Sequence, residues 1–475
     1  MTHLQTAPLV GIAAVVTVLG LLAAWWIGRR LDWPAAGPMA LIAATPFIPN
    51  YSIALGFSLD DVLPLLGTIL LVRLLPWRRP RAALRPRAWA GWTPSPSVAI
   101  ALAGLLIIVV AGLISAIVNA ASVGDVIRLA LRGSGRMLFL LAIVVSLAVH
   151  GSTPRSRLFG ARAIAVVGTL ESIFGLVAYE IGLPLRAGLE STRDSSVLNG
   201  HIPGRIAGTL GISPNFTGAV LLLSIMVTAG LASQATGRRE RLLAWAAMVV
   251  QLAALALTFS RVSLGLTVIA LGVLVIMRSR PLLLLPIAAV LALVAVGTPM
   301  LSRFVRDVPD RLALWSSAFR LMVDHPIGGV GPGQMLVAVA ANPARYRQTD
   351  FGQALSTAHN TILLAGAEMG VLAALGAIVL NVGLLLVAAQ IFLRARRAPD
   401  GGIRLGASLG LAGFVAQGMV NNLLTVGVTG VAAAFVIGAL LVDSPTRPPK
   451  VLVCDDARYA LSRDSSPVTH PRGSP

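Results

Sequence analysis

Long apolar runs alternate with short polar clusters along most of the chain. Several runs reach roughly 20 residues, the length at which a helix crosses about 30 Å of hydrocarbon. A segment inside a bilayer must form its backbone hydrogen bonds internally, so each run is expected to be helical. The predicted spans lie near residues 8–27, 35–52, 60–76, 95–118, 126–149, 162–182, 212–234, 241–258, 261–277, 282–299, 361–391, 404–419 and 423–442. The pattern predicts an all-α polytopic membrane protein with about 11–13 transmembrane helices.

The span at residues 35–52 is the weakest of these. The stretch LDWPAAGPMALIAATPFIPN carries four prolines. Since proline lacks the N–H that a helix needs, a broken or re-entrant element is the alternative. The composition supports membrane insertion in general: the chain of 475 residues is 56% hydrophobic and 12% charged, far outside the range of soluble domains. No cleavable signal peptide is evident before the first span, so the chain is expected to be retained whole.

The charge of the chain is strongly basic, with 38 Lys and Arg against 19 Asp and Glu, a net +19. Many arginines fall in short clusters between apolar runs, which by the positive-inside rule marks those clusters as cytoplasmic and argues against nucleic acid as the partner. Residues 1–442 then form the transmembrane domain, and residues 443–475 form a disordered cytoplasmic tail rich in Pro, Ser and Arg. The single cysteine, Cys454, lies in that tail and excludes an intrachain disulfide.

Two long polar segments, residues 183–211 and 300–360, must then lie outside, and both carry arginines against the charge rule. For any one of them, such as Arg320 or Arg345, a solvated surface position is the simpler explanation. Taken together, the arginines suit an anionic ligand that emerges from the bilayer, because guanidinium is permanently charged and pairs bidentately with phosphate.

The larger outer loop is predicted to contain a short amphipathic helix over residues 311–323. Asp310 occupies the expected N-cap position, and the helix should end at Asp324, before Pro326. Its apolar stripe, which should pack on the bundle or in interfacial lipid, is formed by Leu312, Trp315, Phe319 and Met322. The glycines that follow, at 328, 329, 331 and 333, lack the Lys-Ser/Thr ending of a phosphate-binding loop and indicate a tight turn.

Two ionisable residues stand at the outer ends of predicted spans. His359 begins the span in LSTAHNTILLAGAEMG, and Arg261 lies in the very short hairpin LTFSRVSLGL. A polar cap for the histidine and a snorkelling helix end for the arginine are the structural alternatives. Functionally, a neutral imidazole can remove a proton near neutral pH, and a guanidinium at headgroup level can bind a lipid diphosphate.

The segment that runs from Arg311 through HPIGGVGPGQ to AHNTILLAGAEMGVLAALG resembles the signature region of the O-antigen ligase and polymerase family of bacterial envelope glycosyltransferases. GRIAGTLGISPNFTGAVLLL and TFSRVSLGL resemble two further segments of that family, in the expected order. The resemblance covers residues 200–375. It implies a GT-C-like bundle with a large extracytoplasmic loop over a lipid-lined cavity, in the bacterial inner (plasma) membrane.

This resemblance also implies an activity. Family members transfer a glycan from an undecaprenyl (polyprenyl) diphosphate carrier to a hydroxyl, either of the lipid A core of lipopolysaccharide or of another carrier-linked glycan. By motif, the family's functional histidine corresponds to His359 and its two arginines correspond to Arg311 and Arg261. Arg205 is a weaker third candidate for diphosphate binding. Possible substrate contacts are Asn360 and Asn215.

Direct displacement of the diphosphate would invert the anomeric centre. The outer acidic residues form no D-x-D motif, so we expect a metal-independent enzyme without a cofactor. A lipid-linked glycan flippase or other secondary transporter is the alternative function, and a non-catalytic scaffold is a third. The sequence leaves open the choice between ligase and polymerase, the glycan, the acceptor and the oligomeric state.

Overall fold

The computed structural model describes residues 7–45, 52–54, 57–58, 62–74, 95–151, 153–181, 206, 214–278, 299–346, 357–398, 401–425 and 427–441. Its principal helices are α1 (Ala7–Arg30), α2 (Ala36–Ala43), α3 (Val62–Arg73), α4 (Pro96–Asn119), α5 (Val123–Ala130), α6 (Arg136–Gly151), α7 (Pro154–Ile181), α8 (Pro214–Gln234), α9 (Arg238–Leu257), α10 (Arg261–Arg278), α11 (Pro299–Asp324), α12 (Met335–Ala341), α13 (Pro343–Tyr346), α14 (Thr361–Met369), α15 (Val371–Ala395), α16 (Gly402–Gly418) and α17 (Gly427–Val436).

Five short elements complete the described chain, and one of them is a 3-10 turn, Leu423–Thr425, between α16 and α17. A π-helical turn, Leu131–Gly135, joins α5 to α6, and another, Ile437–Leu441, follows α17. Two strands, β1 (Ser52–Ala54) and β2 (Phe57–Ser58), pair antiparallel. Met1–Pro76 and Pro94–Asp443 form one compact unit. The second unit, Trp77–Thr93 with Ser444–Pro475, lies outside the described residues, as does the predicted tail at 443–475.

Seven helices in the described part are long and apolar enough to cross a membrane. They are Pro96–Asn119, Val123–His150, Pro154–Val177, Pro214–Gln234, Arg238–Leu257, Arg261–Arg278 and Val371–Ala395. Shorter apolar helices occupy Val62–Arg73 and Thr429–Leu441. The predicted fold class, an all-α polytopic membrane protein, is confirmed. The predicted total of 11–13 spans stays a prediction, because nearly all of the span at 282–299 lies outside the described residues.

The span predicted at residues 35–52 is not one continuous helix. Among the described residues of this range the α-helix is α2, and its eight residues extend for about 12 Å, well short of a bilayer core. The prolines that made this span doubtful explain the interruption, since each removes a backbone donor.

The centre of the bundle is α8, in which nearly every side chain is buried. It packs against α7, α9, α10 and α16, while α15 lies along α4. Glycines allow these helices to approach closely: a Cβ on Gly406 would lie 2.1 Å from Met226 O, and one on Gly104 would lie 2.2 Å from Leu380 N. Small residues at helix contacts are typical of membrane bundles, where packing replaces the hydrophobic effect between helices.

Helix α11 differs from the helix predicted at 311–323. It begins at Pro299 and continues through Pro309 and Asp310, so the N-cap assignment of Asp310 is wrong. A single proline removes one backbone hydrogen bond of a helix and does not always end it. The predicted end at Asp324 is confirmed.

The packed face of α11 also differs from the predicted stripe. Leu314, Ala318 and Leu321 are buried, whereas Leu312 and Phe319 are 55% and 53% exposed. The buried face of α11 is therefore the one that carries Leu314, Ala318 and Leu321. Two residues of the predicted stripe, Leu312 and Phe319, lie outside that face. The exposed leucine and phenylalanine remain available for the interfacial lipid that the sequence allowed as one alternative.

The span predicted at residues 361–391 is interrupted at Gly370, which separates α14 from α15 and has φ +85°. The cause is the loop that follows α11. Val371 N donates to Pro326 O at 2.8 Å, and a Cβ on Gly370 would lie 2.5 Å from the same oxygen. Only glycine combines this backbone conformation with so close an approach.

The glycine-rich loop, residues 325–334, packs against the end of α14. Val330 N donates to Ala367 O at 3.0 Å, and Gly331 N donates to Glu368 O at 2.9 Å. The predicted tight turn is confirmed, since positive φ occurs at three of its glycines, Gly329, Gly331 and Gly333. These glycines therefore bring the loop backbone close to a helix of the same chain.

Candidate active site

The segment before α14 is fixed by Asn360. Its Oδ1 accepts from the N–H groups of Ile362 and Leu363 at 2.9 and 3.0 Å, which is the usual N-cap arrangement. Its Nδ2 donates to Met419 O at 2.9 Å. The side chain is 7% exposed. Asn360 therefore attaches the first turn of α14 to the chain just beyond α16.

His359 has an unusual backbone conformation. Its φ is +46°, a region that residues other than glycine seldom occupy and that is often found at functional sites. Its Nδ1 is enclosed and has no hydrogen-bond partner. Burial, together with the charge of Arg311, lowers the pKa of His359 to about 4. The imidazole is therefore neutral at physiological pH.

Arg311 lies on α11 and is half-buried. Its Nη1 donates to Val420 O at 2.8 Å, and its charge acts on the His359 ring. The structure thus brings His359 and Arg311 together. Thr361 Oγ1 also donates to this part of the chain, to Asn421 O at 3.1 Å.

The turn formed by Met419–Asn422, here called the 419–422 turn, is consequently the centre of the site. Its successive carbonyl oxygens accept from Asn360, Arg311 and Thr361. Thr357 Oγ1 lies 3.5 Å from Asn422 Oδ1. Two separate segments of the chain, residues 357–361 and Arg311 of α11, therefore hold the same short turn, and this arrangement fixes Arg311 relative to His359.

Arg261 begins α10 at the same end of the bundle. The preceding Phe259 has φ +51°, and Ser260 N donates to Thr258 Oγ1 at 3.1 Å. A Cβ on Gly218 of α8 would lie 2.8 Å from Ser260 Cβ, so this hairpin packs on the first turn of α8. Arg261 is half-buried there.

Asn215 connects the first turn of α8 with the last turn of α16, which leads into the 419–422 turn. Its carbonyl oxygen accepts from Gln417 Nε2 at 3.0 Å, and Gln417 lies two residues before Met419. Arg261 is therefore one helix away from the pair formed by His359 and Arg311. Arg205 lies outside the described residues, while the N–H of the next residue, Ile206, donates to Leu257 O at 3.0 Å.

Residues 246–378 match the family model described as Wzy_C, O-antigen ligase. This match supports membership of the O-antigen ligase and polymerase family. The matched region contains Arg261, Arg311 and His359. No curated protein matches the chain. The match supports a glycan-transferring ligase or polymerase role, and with it a glycosyltransferase-type enzyme with a lipid-linked glycan donor and a glycan acceptor.

The 419–422 turn was not predicted from the sequence, and it lies outside the matched region. The available signal was a cluster of amides, Gln417, Asn421 and Asn422, between two apolar runs. All three are buried. Amides at the junction of two membrane helices need hydrogen-bond partners, so such a cluster indicates a polar site.

Acidic residues do not gather at this site within the described part of the chain. No group of three or more His, Cys, Asp or Glu residues is close enough there to hold a metal ion. Asp324, one of the outer acids, pairs with Arg345 at 2.6 and 2.7 Å. The hydrogen bonds from Arg345 lower the pKa of Asp324 to about 2. Both therefore carry their charge in a mutual pair at the surface.

Proposed function

We propose that the protein transfers a glycan from a polyprenyl diphosphate carrier to an acceptor hydroxyl at the extracytoplasmic face of the membrane. In this proposal His359 is the general base, and Arg311 and Arg261 bind the diphosphate, with Arg205 as a further candidate. The observation that supports it most directly is the convergence of a neutral, enclosed imidazole and a guanidinium on one turn.

The proposed chemistry is a direct displacement. The acceptor oxygen forms a bond to the anomeric carbon, the bond from that carbon to the diphosphate oxygen breaks, and the acceptor proton passes to His359. A single displacement inverts the anomeric centre. A pKa of about 4 in the free protein makes imidazole a weak base, but a bound diphosphate anion would raise that pKa towards the operating pH.

The departing diphosphate gains negative charge, which the two arginines are suited to stabilise. Guanidinium can donate two parallel hydrogen bonds to phosphate oxygens. In a site partly closed to water these interactions are stronger than in bulk solvent. Arg311 already uses Nη1 to hold Val420 O, so its guanidinium has a fixed position before the donor binds.

An apolar groove beside the site offers a place for the isoprenoid chain of the donor. It lies between α4, α6, α15 and α17, and its lining includes Leu105, Leu140, Leu384, Leu424, Ala433 and Ile437. Leu424 follows the 419–422 turn by two residues, so one part of the groove lining lies close to the proposed diphosphate site. Its almost wholly hydrocarbon lining suits a polyprenyl chain and no polar substrate.

The decisive experiment is reconstitution. The purified full-length protein in nanodiscs receives a polyprenyl-diphosphate-linked glycan with either a lipid A core acceptor or a second carrier-linked glycan. We expect product with one acceptor, retained in the presence of chelator and with inverted anomeric configuration. Loss of transfer with chelator would contradict the metal-independent mechanism. Movement of the donor across the bilayer without cleavage would favour a flippase.

The proposed membrane orientation has its own test. Ala340 and Arg238 are both exposed, and each is replaced by cysteine in a chain in which Cys454 is serine. An impermeant thiol reagent should label the cysteine at 340 in intact cells and leave the cysteine at 238 unlabelled. The reverse pattern would place the site on the cytoplasmic side.

A further inference from the structure

We propose that Gln417 and Asn421, assisted by Trp315, form a subsite that binds hydroxyl groups of the reacting glycan. The inference rests on the proposed transfer reaction. In it, Gln417, Asn421 and Trp315 bind the sugar, whereas His359 accepts the proton and the arginines bind the diphosphate.

The evidence is the distribution of enclosed polar atoms without hydrogen-bond partners. Apart from arginine Nε atoms, the described part of the chain has five: Gln251 Oε1, Trp315 Nε1, His359 Nδ1, Gln417 Oε1 and Asn421 Oδ1. Four of them belong to residues at the site built around the 419–422 turn. Buried polar atoms are nearly always paired in folded proteins, so such a concentration at one place needs an explanation.

Three of these residues lie in the turn or next to residues that contact it, and Trp315 is placed on the same side by its helix. Asn421 belongs to it, and Gln417 lies one helical turn before Asn421. His359 is adjacent to Asn360, which donates to Met419 O. Trp315 is four residues after Arg311 on α11, hence on the same face as the arginine that donates to Val420 O.

The chemistry of the two amides selects the class of ligand. Amide oxygens accept hydrogen bonds, and these two are 0% and 2% exposed at the residue level. A diphosphate offers no donor to them, whereas every free hydroxyl of a sugar does. The amides are also neutral, which suits an uncharged sugar ring beside the cationic diphosphate site. The indole N–H of Trp315 complements them by donating to a hydroxyl oxygen.

Gln417 is also held in position before any ligand binds. Its Nε2 donates to Asn215 O at 3.0 Å, which fixes the amide plane and therefore the direction of Oε1. A rigid acceptor loses little conformational freedom on binding. Asn215, which the sequence suggested as a substrate contact, thus has a carbonyl that positions a proposed sugar-binding side chain.

The test is Asn421→Leu in the full-length protein in nanodiscs. Because Oδ1 has no donor within the protein, replacing it with a similarly sized apolar group should leave the thermal midpoint unchanged or slightly higher. The loss of one neutral hydrogen bond to substrate should raise the KM of the glycan roughly 3- to 10-fold. Gln417→Met should act in the same direction, with some loss of stability because its bond to Asn215 is also lost.

The matched control is Gln251→Met. Gln251 is equally buried and also has an unpartnered Oε1, but its Nε2 donates to Ala165 and to two threonines inside the bundle. Its substitution should leave both KM values unchanged. Titrating donor and acceptor separately identifies the bound sugar, because only the KM of the substrate that occupies the subsite should rise.

Several results would overturn the proposal. Unchanged KM values for both substrates in Asn421→Leu would indicate that the amide oxygen holds only water. A lowered thermal midpoint with unchanged KM would make it a structural amide. A carrier-free glycan fragment separates this inference from the transfer reaction: at one subsaturating concentration it should raise the thermal midpoint of the parent protein more than that of Asn421→Leu, even if no transfer occurs. No midpoint shift in the parent protein would also contradict the subsite.

Discussion

The two ends of α14 use polar groups in opposite ways. At its C-terminal end, the glycine-rich loop is joined to the bundle by satisfied hydrogen bonds: Ser115 Oγ and Asn119 Nδ2 both donate to Gly328 O. The carboxylate of Glu368 accepts from the N–H groups of Gly333 and Met335. At its N-terminal end, two side-chain atoms are buried without a hydrogen-bond partner: His359 Nδ1, and Asn421 Oδ1 in the neighbouring turn.

This difference separates structure from function within one short helix. The glycine-rich loop looks more like a ligand site in the sequence, yet its backbone is occupied by contacts with α14. The less conspicuous N-terminal end has polar atoms that only a ligand or water can satisfy. Unsatisfied buried groups are therefore a better guide to the candidate site than the motif that resembles a known binding loop.

The largest expected effect is at the N-terminal end. Replacing His359 with alanine should reduce kcat by a factor of about 10² to 10⁴, the usual contribution of a general base. Turnover of the polyprenyl-diphosphate glycan in nanodiscs measures it. His359→Gln provides the isosteric comparison, since it keeps a polar side chain but cannot accept the proton under these conditions. Undiminished transfer in both variants would remove His359 from the mechanism.

The arginines should show a smaller but clear effect. Arg311→Lys and Arg261→Lys keep the charge and lose the bidentate geometry, so each should lower kcat/KM by about tenfold or more. The matched control is Arg320→Lys on the same helix, because Arg320 is exposed and donates to Arg345 O. Full activity in both test variants would mean that Arg311 and Arg261 contribute only their positive charge and do not bind phosphate bidentately.

The apolar groove gives a third comparison, between neighbouring positions on α4. Leu105 lines the groove, whereas Leu106 is 62% exposed. Leu105→Trp should raise the KM of a long-chain donor several-fold by filling space, and should have little effect on a donor with a short isoprenoid. Leu106→Trp should leave the KM values of both donors unchanged. Equal effects of Leu105→Trp on the two donors would contradict the placement of the chain in this groove.

At the C-terminal end of α14 the expected effect is on stability. Gly329 has φ +59°, and a Cβ there would lie 2.3 Å from Glu368 C. Gly329→Ala should therefore lower the free energy of unfolding by about 1–3 kcal/mol or more, with kcat per folded molecule retained. Gly272→Ala, where a Cβ meets nothing within 4 Å, should have no such cost. A loss of kcat without loss of stability would give the loop a direct role.

The sequence predicted well those features that depend on local periodicity. Apolar runs are sufficient to place most helices, and the end of α11 at Asp324 followed from Pro326. The start of α11 and the break at Gly370 were not predicted, because both depend on contacts with distant parts of the chain. The interruption at Gly370, for example, requires the carbonyl of Pro326 to lie beside it.

The same limit applies to the candidate site. The residues His359, Arg311 and Arg261 were identified through motif resemblance, and the first two do come together. The turn that holds them was not identified, since Gln417 and Asn421 follow His359 by about sixty residues in the chain and have no local pattern that indicates proximity. The pairing of Asn360 with Met419 is likewise visible only in three dimensions.

The smallest expected change is in the pH dependence of kcat/KM. With its pKa lowered to about 4, His359 remains about nine-tenths neutral at pH 5, whereas an ordinary histidine of pKa 6.5 would be almost fully protonated. Since kcat/KM reports the free enzyme, it should fall by only about a tenth between pH 7 and pH 5. The acidic limb of kcat should lie at higher pH, because the bound diphosphate favours the protonated ring. Initial rates over pH 4.5–8 measure the acidic limb of kcat/KM at low donor and the acidic limb of kcat at saturating donor. An unshifted histidine would instead give a roughly 30-fold fall of kcat/KM by pH 5. That result would mean that the imidazole is solvated in the working enzyme, and that its enclosure beside Arg311 has no part in the reaction.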